Sequence, residues 1–561
     1  MCYCQNKRYI HEKKFIMTKS IMATSALIYA NGPLHLGHML EGIQTDIWVR
    51  AQKSLGHHCS HIGGSDAHGT PIMLSAQKKE IAPETMVAHY HQDHLQDLND
   101  YSVHFDQFHS THSSENESLA QTIFQKMQSN GDVLKKEITQ AFDPQENMFL
   151  PDRFIKGACP KCKASDQYGD NCEACGATYC SSELINPYSA ISGVKPIDKA
   201  SLHYFFALDH YQSFLNTWLR EGHVTEQVAN KLQEWIDQGL KPWDISRDAP
   251  YFGFLIPGET NKYFYVWLDA PIGYMAALEH NAESSDCTLE TVFSPDSQFE
   301  LHHFIGKDII NFHALFWPAM LKSAGYRQPT AVHAHGFLMI DGQKMSKSRG
   351  TFITAKRFAR HFKTEQLRYY FASKLGNGLD DIDLNLDDFV KKINSDLVGK
   401  VINIASRCAG FITKFHDNTL GATADTPELL EALQAEKTAI TTHFSNREYQ
   451  HAIRKIMLLA DKTNAYIDHM KPWQLAKLPE HQAQVQAICT TGLNAFRLIM
   501  IYLHPILPNM SEAVQTFLQC APLTFDQTEQ LLLAHTIVPF KPLMQRIDMN
   551  QIDALMTDTL D

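Results

Sequence analysis

The sequence predicts an α/β fold: a parallel-sheet domain that is split by a cysteine-bearing insertion and followed by an α-helical bundle. A short apolar strand, a Gly-Pro turn and an amphipathic helix open the chain between residues 23 and 55. Four cysteines between residues 159 and 175 then interrupt the α/β pattern. Beyond residue 388 the pattern becomes long amphipathic helices with few strand signals, which is typical of a helical bundle.

The elements of the predicted sheet can be placed in order. The first strand covers residues 23–29, and a helix covers residues 36–55. A second strand, residues 59–62, leads into the glycine-rich segment 63–69, at the sheet edge where open α/β folds bind ligands. Later strand-like runs lie at 263–268, 302–305 and 331–340, and amphipathic helices at 397–415 and 450–470. We therefore expect a split nucleotide-binding sheet of the Rossmann type.

Composition limits the possible functions. A chain of 561 residues with 44% hydrophobic content predicts about three or four domains. The net charge of −12 argues against a generally basic nucleic-acid binder, so a polynucleotide would have to meet local basic patches. The scattered cysteines fit buried apolar residues of a reducing, cytoplasmic environment. No run approaches the roughly 20 apolar residues that cross a bilayer, so we expect no membrane partner.

The motif His35-Leu36-Gly37-His38 lies at the start of the first predicted helix. Unpaired backbone N–H groups and the helix dipole favour anions there, and two imidazoles three residues apart can point the same way. Gly37 would let a nucleotide approach the backbone closely. The motif predicts a polyphosphate site; the alternative is two histidines that only cap the helix.

A second motif, Lys344-Met345-Ser346-Lys347-Ser348, lies between Gly342 and Gly350 and therefore on a loop that can move. An ammonium group that meets a reacting phosphorus more closely in the transition state than in the ground state lowers the barrier. The alternative is an exposed basic hairpin. With both motifs present, we expect His35, His38, Lys344 and Lys347 to be catalytic. The expected ATP contacts are His35, Gly37, His38, Lys344, Ser346 and Lys347.

Two C-x2-C pairs predict a structural metal site formed by Cys159, Cys162, Cys172 and Cys175. Four thiolates satisfy a tetrahedral Zn²⁺ ion and leave no open position. Two disulfides are the alternative, but they are rare in cytosolic enzymes. Cys180 lies close by and is not assigned as a ligand. In the glycine-rich segment, Asp66 and His68 fit an acid/base pair or turn caps equally well.

With these motifs the sequence resembles the methionyl-tRNA synthetases, a class I aminoacyl-tRNA synthetase family. Residues 26–32, 263–274 and 302–308 look like that family rather than its valyl, leucyl or cysteinyl relatives. The resemblance implies that ATP, with Mg²⁺, activates L-methionine to methionyl-adenylate plus pyrophosphate. Methionine is then transferred to the 3′ end of tRNA(Met), including initiator tRNA. Two alternatives stay open: another class I adenylate-forming nucleotidyltransferase, and a catalytically dead zinc-ribbon protein that binds tRNA.

The resemblance also implies two sets of binding residues. Asp66 would receive the α-ammonium of methionine, with Arg247 nearby as its charged partner. The whole methionine pocket would consist of Leu27, Tyr29, Asp66, Arg247, Trp267, Ala270, Pro271, Tyr274 and His313. Asn403, Arg407 and Trp473 would bind the CAU anticodon, because unpaired bases are generally read by stacking and by hydrogen bonds to their edges. The alternative for Trp473 is a core residue.

A division of the chain into domains follows from these assignments. Residues 1–16 look like a disordered or non-native extension, with Met17 as a plausible start. The expected divisions are the first half of the catalytic domain at 17–130, the zinc-bearing insertion at 131–245, the second half at 246–330, the stem-contact region at 331–390, the anticodon-binding domain at 391–540, and a peptide packing back on the catalytic domain at 541–561. Because the appended dimerisation domain of many relatives is missing, the resemblance favours a monomer. The sequence departs from the family at Ile28 and at Gly64-Ser65.

Overall fold

The computed structural model describes residues 18–169, 172–177, 179–280, 286–345 and 352–558. Its strands are β1 Ser20–Ser25, β2 Ile28–Tyr29, β3 His58–Asp66, β4 Gln107–Ser110, β5 Val133–Asp143, β6 Met148–Phe149, β7 Ile155–Ala158, β8 Gln167–Tyr168, β9 Ile185–Ser189, β10 Ile197–Phe206, β11 Trp243–Asp244, β12 Ser246–Asp248, β13 Lys262–Phe264, β14 Glu300–Gly306, β15 Ala331–His335, β16 Leu338–Ile340, β17 Gln343–Lys344 and β18 Ile382–Leu384.

Its helices are α1 Leu36–Ser54, α2 Thr70–Lys78, α3 Pro83–Asp100, α4 Ser114–Ser129, α5 Gln212–Trp218, α6 Glu226–Asp237, α7 Val266–His280, α8 Leu289–Phe293, α9 Trp317–Ser323, α10 Ala355–His361, α11 Thr364–Lys374, α12 Leu386–Lys392, α13 Asn403–Phe415, α14 Pro427–Gln434, α15 Lys437–Ser445, α16 Tyr449–Met470, α17 Pro472–Leu475, α18 Gln482–Leu503, α19 Pro508–Leu518 and α20 Asn550–Thr557. Two π-helical segments are Phe312–Phe316 and Ile393–Ile402. Within the described residues, no helix combines the length and the apolar character needed to cross a membrane.

The central sheet is parallel, as predicted. Its strand order is β15-β14-β1-β3-β2, with β4 also paired to β3. From β1 the chain continues on one side to β3 and returns on the other side to β14, so the strand order reverses between β1 and β14. Ligands of open α/β sheets bind in the crevice outside the carboxyl ends of the strands at such a reversal. The crevice therefore opens beyond Ser25 and Gly306.

The second strand is longer than predicted. β3 does not end at Ile62 but runs through the glycines to Asp66. A Cβ at Gly63 would lie 2.3 Å from the ring of Phe105, and one at Gly64 would lie 1.9 Å from the carbonyl oxygen of His109. Because glycine has no side chain, Phe105 and the β4 backbone at His109 can pack directly against β3. The strand continues through the two glycines and ends at Asp66.

The prediction of a strand over residues 263–268 is wrong in its second half. β13 ends at Phe264, and α7 begins at Val266. Nearly every residue of α7 from Leu268 to Leu278 is buried, so the apolar run that looked like a strand belongs to a helix packed on all sides. Short apolar runs of this kind fit either element.

The insertion contains two antiparallel sheets. In the larger sheet, β5 pairs along its length with β10. In the smaller sheet, β7 pairs with β8 and β9, and the four predicted metal ligands follow β7 and β8. The prediction of a cysteine-bearing insertion within the α/β domain is confirmed.

The C-terminal half is a helical bundle, as predicted, with α18 at its centre; residues 488–503 of this helix are buried throughout. A buried ion pair connects the bundle to α1 of the α/β domain. The Arg368 guanidinium donates to Asp46 at 2.6 Å and to the carbonyl of Ile506 at 2.8 Å. Burial raises the pKa of Asp46, but Arg368 and Arg50 outweigh it and lower that pKa to about 2. The carboxylate is therefore ionised at neutral pH.

Candidate functional site

The two motif histidines are fixed by their own backbone. His35 caps α1, and its Nδ1 accepts from the N–H of Gly37 at 3.1 Å. Nδ1 of His38 accepts from the N–H of His35 at 3.1 Å, and the two rings stack 3.7 Å apart. Burial, and the neighbouring His35 and His94, hold the pKa of His38 well below its usual range. A neutral ring that accepts at Nδ1 carries its proton on Nε2. Because Nδ1 of each ring accepts a backbone N–H, Nε2 of each ring is a donor. The histidines can therefore cap the helix and also form the predicted polyphosphate site.

Met345 of the second motif lies against the first motif. A Cβ at Gly37 would lie 2.9 Å from Cε of Met345. Where the described chain resumes, the carbonyl of Ile353 accepts from the N–H of Leu36 at 3.1 Å, and Thr354 forms a β-bridge with His35. The fold thus joins two motifs that lie about three hundred residues apart.

The central residues of the second motif, Ser346 and Lys347, lie outside the described residues. Lys344 is described: it is exposed and ends β17, which pairs with β16. Its Nζ lies 5.8 Å from the ring of Phe337. Lys307 and, further off, Lys344 lower the pKa of Asp381, so this edge of the crevice carries positive charge.

Asp66 faces a second carboxylate that sequence reasoning missed. Burial, and then the charge of Asp269, raise the pKa of Asp66 well above its usual range, and burial also raises that of Asp269. One oxygen of each carboxylate is buried without a hydrogen-bond partner among the described residues. The other oxygen of Asp269 is 2.9 Å from Nδ1 of His68. The two carboxylates therefore form a buried site in which the two oxygens without partners can accept a cation. Asp269 lies inside the segment 263–274, which carries the family resemblance, and this position was the signal that could have identified it as a site residue.

Arg247 forms no ion pair with Asp66 among the described residues, so its expected role as the charged partner of Asp66 stays a prediction. Among the described residues, the ion pair of Arg247 is with Asp244, at 3.4 Å. Its guanidinium also stacks over the ring of Tyr265, 3.7 Å from the centroid. The physical reason is that Asp244 lies three residues earlier, where it competes directly for the guanidinium. Burial raises the pKa of Tyr265, Arg247 lowers it and Asp66 raises it, so both charged groups act on this hydroxyl.

The predicted aromatic residues gather beside this carboxylate pair. Trp267 stacks on Phe312 with centroids 3.8 Å apart and lies edge-on to His313 at 6.4 Å. Tyr29 pairs with Asp66 across β2 and β3. A Cβ at Gly273 would lie 2.8 Å from Cδ1 of Leu27, so α7 packs closely against the first turn. Ala270 and Pro271 are buried on the same helix.

The buried end of this pocket is a hydrogen-bond network with a fixed direction. Nδ1 of His313 lies 3.2 Å from the carbonyl of Ile309 and must donate, so Nε2 accepts from the hydroxyl of Tyr274 at 3.0 Å. The indole N–H of Trp317 donates to Nε2 of His303, whose Nδ1 lies 2.7 Å from the hydroxyl of Thr24. Burial lowers the pKa of His313 to about 4, so the ring is neutral near pH 7.

Three residues at the crevice between β1 and β14 were not predicted. Oε1 of Glu41 accepts from the N–H of Ala26 at 2.7 Å, and its Oε2 lies 3.5 Å from Nε2 of His335. Asp308 follows β14. Burial and, to a smaller extent, Asp308 raise the pKa of Glu41. Burial lowers the pKa of His335, but the carboxylate of Glu41 outweighs it and raises that pKa, with a smaller contribution from Asp308. These polar groups stand where a nucleotide would meet the sheet. No spacing in the sequence distinguished them.

The four predicted cysteines come together. Their sulfurs all lie within 4.8 Å of one another, with Cys159–Cys175 at 3.9 Å and Cys162–Cys172 at 3.5 Å. Bonds of about 2.3 Å from sulfur to a tetrahedral ion place the sulfurs about 3.8 Å apart. The N–H groups of Cys162 and Cys175 donate to the sulfurs of Cys159 and Cys172, each at 3.4 Å. The donor set therefore fits one Zn²⁺ ion. Cys180 lies outside this set.

The predicted RNA-reading residues lie on the bundle surface. Arg407 lies over the ring of Trp473, 4.9 Å from its centroid, and also bonds Asn464 and Asp468. Both Arg407 and Trp473 line a cavity of ≈ 530 Å³, and Trp473 is 37% exposed. Asn403 is half-buried one turn before Arg407 and does not line this cavity. The other lining residues are Ser406, Gly410, Phe411, Lys414, Phe415, Ala476 and Lys477.

Comparisons with known proteins agree with this geometry. The family model "tRNA synthetases class I (M)" matches residues 21–409, and the model "Anticodon binding domain of methionyl tRNA ligase" matches residues 418–540. A solved Mycobacterium tuberculosis methionyl-tRNA synthetase in complex with methionyl-adenylate is similar, with 22% identity, a TM-score of 0.78, and coverage of 93% of this chain and 99% of that one.

Two further structures of that enzyme are similar in fold. The first, also bound by methionyl-adenylate, has 22% identity, a TM-score of 0.77 and coverage of 94% and 100% of the two chains. The second, the apo form, has 21% identity, a TM-score of 0.73 and coverage of 95% and 99%. The family model alone spans more than half of the sequence. The chain belongs to the methionyl-tRNA synthetase family of class I aminoacyl-tRNA synthetases.

Proposed function

We propose that this chain activates L-methionine with ATP in the crevice beside the two motifs and transfers it to tRNA(Met), including initiator tRNA. The contact between the segment around His35 and the segment around the second motif supports this proposal most strongly. Residues 353–355 are hydrogen-bonded to residues 34–36, and Met345 lies against Gly37. A triphosphate between α1 and the loop would therefore meet imidazole and ammonium groups together.

The histidines are proposed to bind the phosphates as donors. His35 and His38 would donate from Nε2, since Nδ1 of each accepts a backbone N–H. Gly37 leaves room for the nucleotide, and Ser346 would contact it. Lys344 and Lys347 would neutralise charge as it develops on the α-phosphate and on the leaving pyrophosphate. Mg²⁺, arriving with ATP, supplies further charge neutralisation on the phosphate oxygens.

Methionine is proposed to bind between the carboxylate pair and the aromatic residues. Its α-ammonium would lie at the unpartnered oxygens of Asp66 and Asp269. Its thioether offers polarizable apolar surface, which suits the faces of Trp267 and Tyr274. Leu27, Tyr29, Ala270, Pro271 and His313 complete the proposed pocket, and Arg247 contributes through Tyr265.

The two chemical steps need no protein nucleophile. The methionine carboxylate attacks the α-phosphorus of ATP; a P–O bond forms and pyrophosphate leaves. A ribose hydroxyl of the terminal tRNA nucleotide then attacks the carbonyl carbon of methionyl-adenylate, and AMP leaves. Glu41, His335 and Asp308 lie at the strand ends where the ribose and adenine would sit. Catalysis would come from positioning and charge stabilisation.

Zn²⁺ is proposed at Cys159, Cys162, Cys172 and Cys175 as a structural ion. The bundle is proposed to read the CAU anticodon, with a base stacked on Trp473 and base edges bonded by Arg407 and Asn403. The domain divisions given by the sequence, at residues 130, 245, 330, 390 and 540, are carried forward as proposals.

The test combines two assays. Wild type should catalyse methionine-dependent ATP–pyrophosphate exchange and charge a tRNA(Met) transcript, whereas His38→Ala and Lys347→Ala should lose most of the exchange activity. Exchange within a few-fold of wild type in both variants would show that the assigned roles are wrong. A nucleotidyltransferase of another kind would show no charging, and a dead RNA-binding protein no exchange. Equal charging of an anticodon-altered transcript would refute the anticodon assignment.

A further inference from the structure

Three side chains outside the sites described above converge on the surface of the catalytic domain. His109 lies on β4, Glu115 in the first turn of α4, and His280 at the end of α7. Their ligand atoms all lie within 4.8 Å of one another. The two imidazole rings are nearly parallel, 4.2 Å apart with an angle of 18° between them. We call this group the His109 cluster.

The distances within the His109 cluster suit a metal ion. Oε1 of Glu115 lies 3.1 Å from Nδ1 of His280, and its Oε2 lies 3.7 Å from Nε2 of His109. A tetrahedral Zn²⁺ ion bonded to nitrogen and oxygen at about 2.0–2.2 Å separates its ligand atoms by about 3.4 Å. The two carboxylate–imidazole distances bracket that value. Because an imidazole nitrogen binds a metal in the plane of its ring, the exposed ring of His280 must turn out of its stack on His109 before all three groups meet one ion.

One nitrogen of the cluster is left without a partner. Nε2 of His109 is buried and forms no hydrogen bond within the part of the chain that the structure describes. It points to the carboxylate of Glu115 at a distance too long for a hydrogen bond. The hydroxyl of Ser114 donates to Oε2 of Glu115 at 3.1 Å and orients that carboxylate. Such hydrogen-bond support is typical of metal-ligating carboxylates.

We propose that the His109 cluster binds one Zn²⁺ ion through His109, Glu115 and His280. Two imidazoles and one carboxylate favour Zn²⁺ over Mg²⁺ or Ca²⁺, which take oxygen ligands. The side chain of His280 is 53% exposed, so the fourth position of the ion faces solvent and is filled by water. The ion links β4, α4 and α7. Because α7 also carries Trp267 and Tyr274, it braces the helix that forms the proposed methionine pocket.

The chain offers a matched control. His443, Glu448 and His451 also lie within 4.8 Å of one another at their ligand atoms. Here Nδ1 of His443 bonds Oε2 of Glu448 at 2.7 Å, whereas the corresponding bond of His280 to Glu115 is 3.1 Å. The rings of His443 and His451 are 5.6 Å apart. Among the described residues, none of these three side chains has a buried polar atom without a partner. We therefore expect His451→Ala to leave the zinc content unchanged.

The experiment measures zinc per chain by mass spectrometry after equilibrium dialysis of the full chain against micromolar ZnCl₂. Wild type and His451→Ala should each retain one ion beyond that held by the cysteines. His109→Ala and His280→Ala should each lose that ion and only that ion. His280→Ala changes an exposed side chain, so it tests the site even if His109→Ala fails to fold.

Thermal unfolding gives the second readout. Once the cysteine site has been filled with one equivalent of Zn²⁺, further ZnCl₂ should raise the Tm of wild type and His451→Ala but not of His280→Ala. The proposal is overturned if wild type holds no more zinc than His280→Ala, or if His451→Ala loses as much zinc as His280→Ala. A variant with Cys172→Ser should lose the cysteine-bound ion and keep the other, which separates this proposal from that of the structural zinc.

Discussion

The hydroxyl of Tyr274 donates to Nε2 of His313 across 3.0 Å, because the carbonyl of Ile309 occupies the other ring nitrogen. The only hydrogen of the hydroxyl is therefore committed to the imidazole. A thioether is a weak acceptor and finds no donor in this hydroxyl. The proposed pocket would then select methionine by shape and by aromatic contact, with the hydrogen bond holding the aromatic wall in place.

Replacing Tyr274 by Phe should weaken methionine binding. The substitution leaves the buried Nε2 of His313 without a partner, which costs about 1–3 kcal/mol of folding stability, and it releases the aromatic wall that the hydrogen bond holds. We expect the KM for methionine in ATP–pyrophosphate exchange to rise, with a smaller change in kcat. Tyr466→Phe is the control, because its hydroxyl bonds Asp425 in the helical bundle. An unchanged KM in Tyr274→Phe would remove this residue from the pocket.

Methionine binding should also depend on pH through Asp66. Burial and Asp269 raise the pKa of Asp66, so the free site holds a proton below that pKa. The α-ammonium binds the ionised carboxylate, so affinity should fall as pH falls through the raised pKa and level off above it. Isothermal titration with methionine at several pH values measures this profile.

Two variants check the origin of that pH dependence. Asp66→Asn should weaken it, leaving only the contribution of Asp269, and cost about 2–5 kcal/mol of binding free energy, as expected for a buried charge pair that loses one partner. Asp269→Asn should move the profile to lower pH, because the like charge that raises the pKa of Asp66 is gone. Asp296→Asn, at an exposed position, is the control. A profile that stays the same in Asp66→Asn contradicts the assignment.

Much of the fold and of the site could be predicted from the sequence because local patterns carry the information. The turn and helix around His35 follow from glycine, proline and apolar spacing, and the C-x2-C pairs fix their own geometry. The pairing of Asp66 with Asp269, and the polar group around Glu41, depend instead on contacts between strands and helices far apart in sequence. The ion pair of Arg247 with Asp244 was not predicted either, because the family resemblance indicated Asp66 as the partner of Arg247.

The strand predicted at residues 263–268 shows a second limit. The segment is rich in aromatic and β-branched residues, and this composition favours a strand. Burial on all sides of α7 from Leu268 to Leu278 outweighs that preference. Local propensity therefore fails where an element is enclosed completely.

Loss of the structural metal should unfold the insertion locally. Cys172→Ser removes one of the four thiolates, and a three-sulfur site holds Zn²⁺ less tightly. We expect zinc loss measured by mass spectrometry and faster proteolysis within residues 150–190. Cys180→Ser is the matched control, since its thiol lies outside the cluster. Equal zinc content in both variants would show that the cysteines do not hold the ion.

Acid should destabilise the chain through its buried histidines. Burial lowers the pKa of His61 and of His313 from 6.5 to about 4. Between these values the unfolded chain binds more protons than the folded one, so stability rises with pH. Each such histidine contributes at most about 1.4 kcal/mol per pH unit. The free energy of urea unfolding should fall from pH 6.5 towards pH 4, and His313→Gln should reduce the slope. An identical slope in that variant would contradict the lowered pKa.

Anticodon reading should separate from methionine activation. Trp473→Ala removes the exposed ring on which an unpaired base would stack, a contact worth about 1–3 kcal/mol. We expect the KM for tRNA(Met) to rise about 5- to 150-fold while methionine-dependent exchange stays unchanged, because the cavity beside Trp473 is lined only by residues of the bundle. Trp235→Ala is the control, since Trp235 is 45% exposed on α6 of the insertion. If Trp473→Ala charges tRNA(Met) as wild type does, or if both variants lose charging equally, base stacking on Trp473 is not how this chain reads the anticodon.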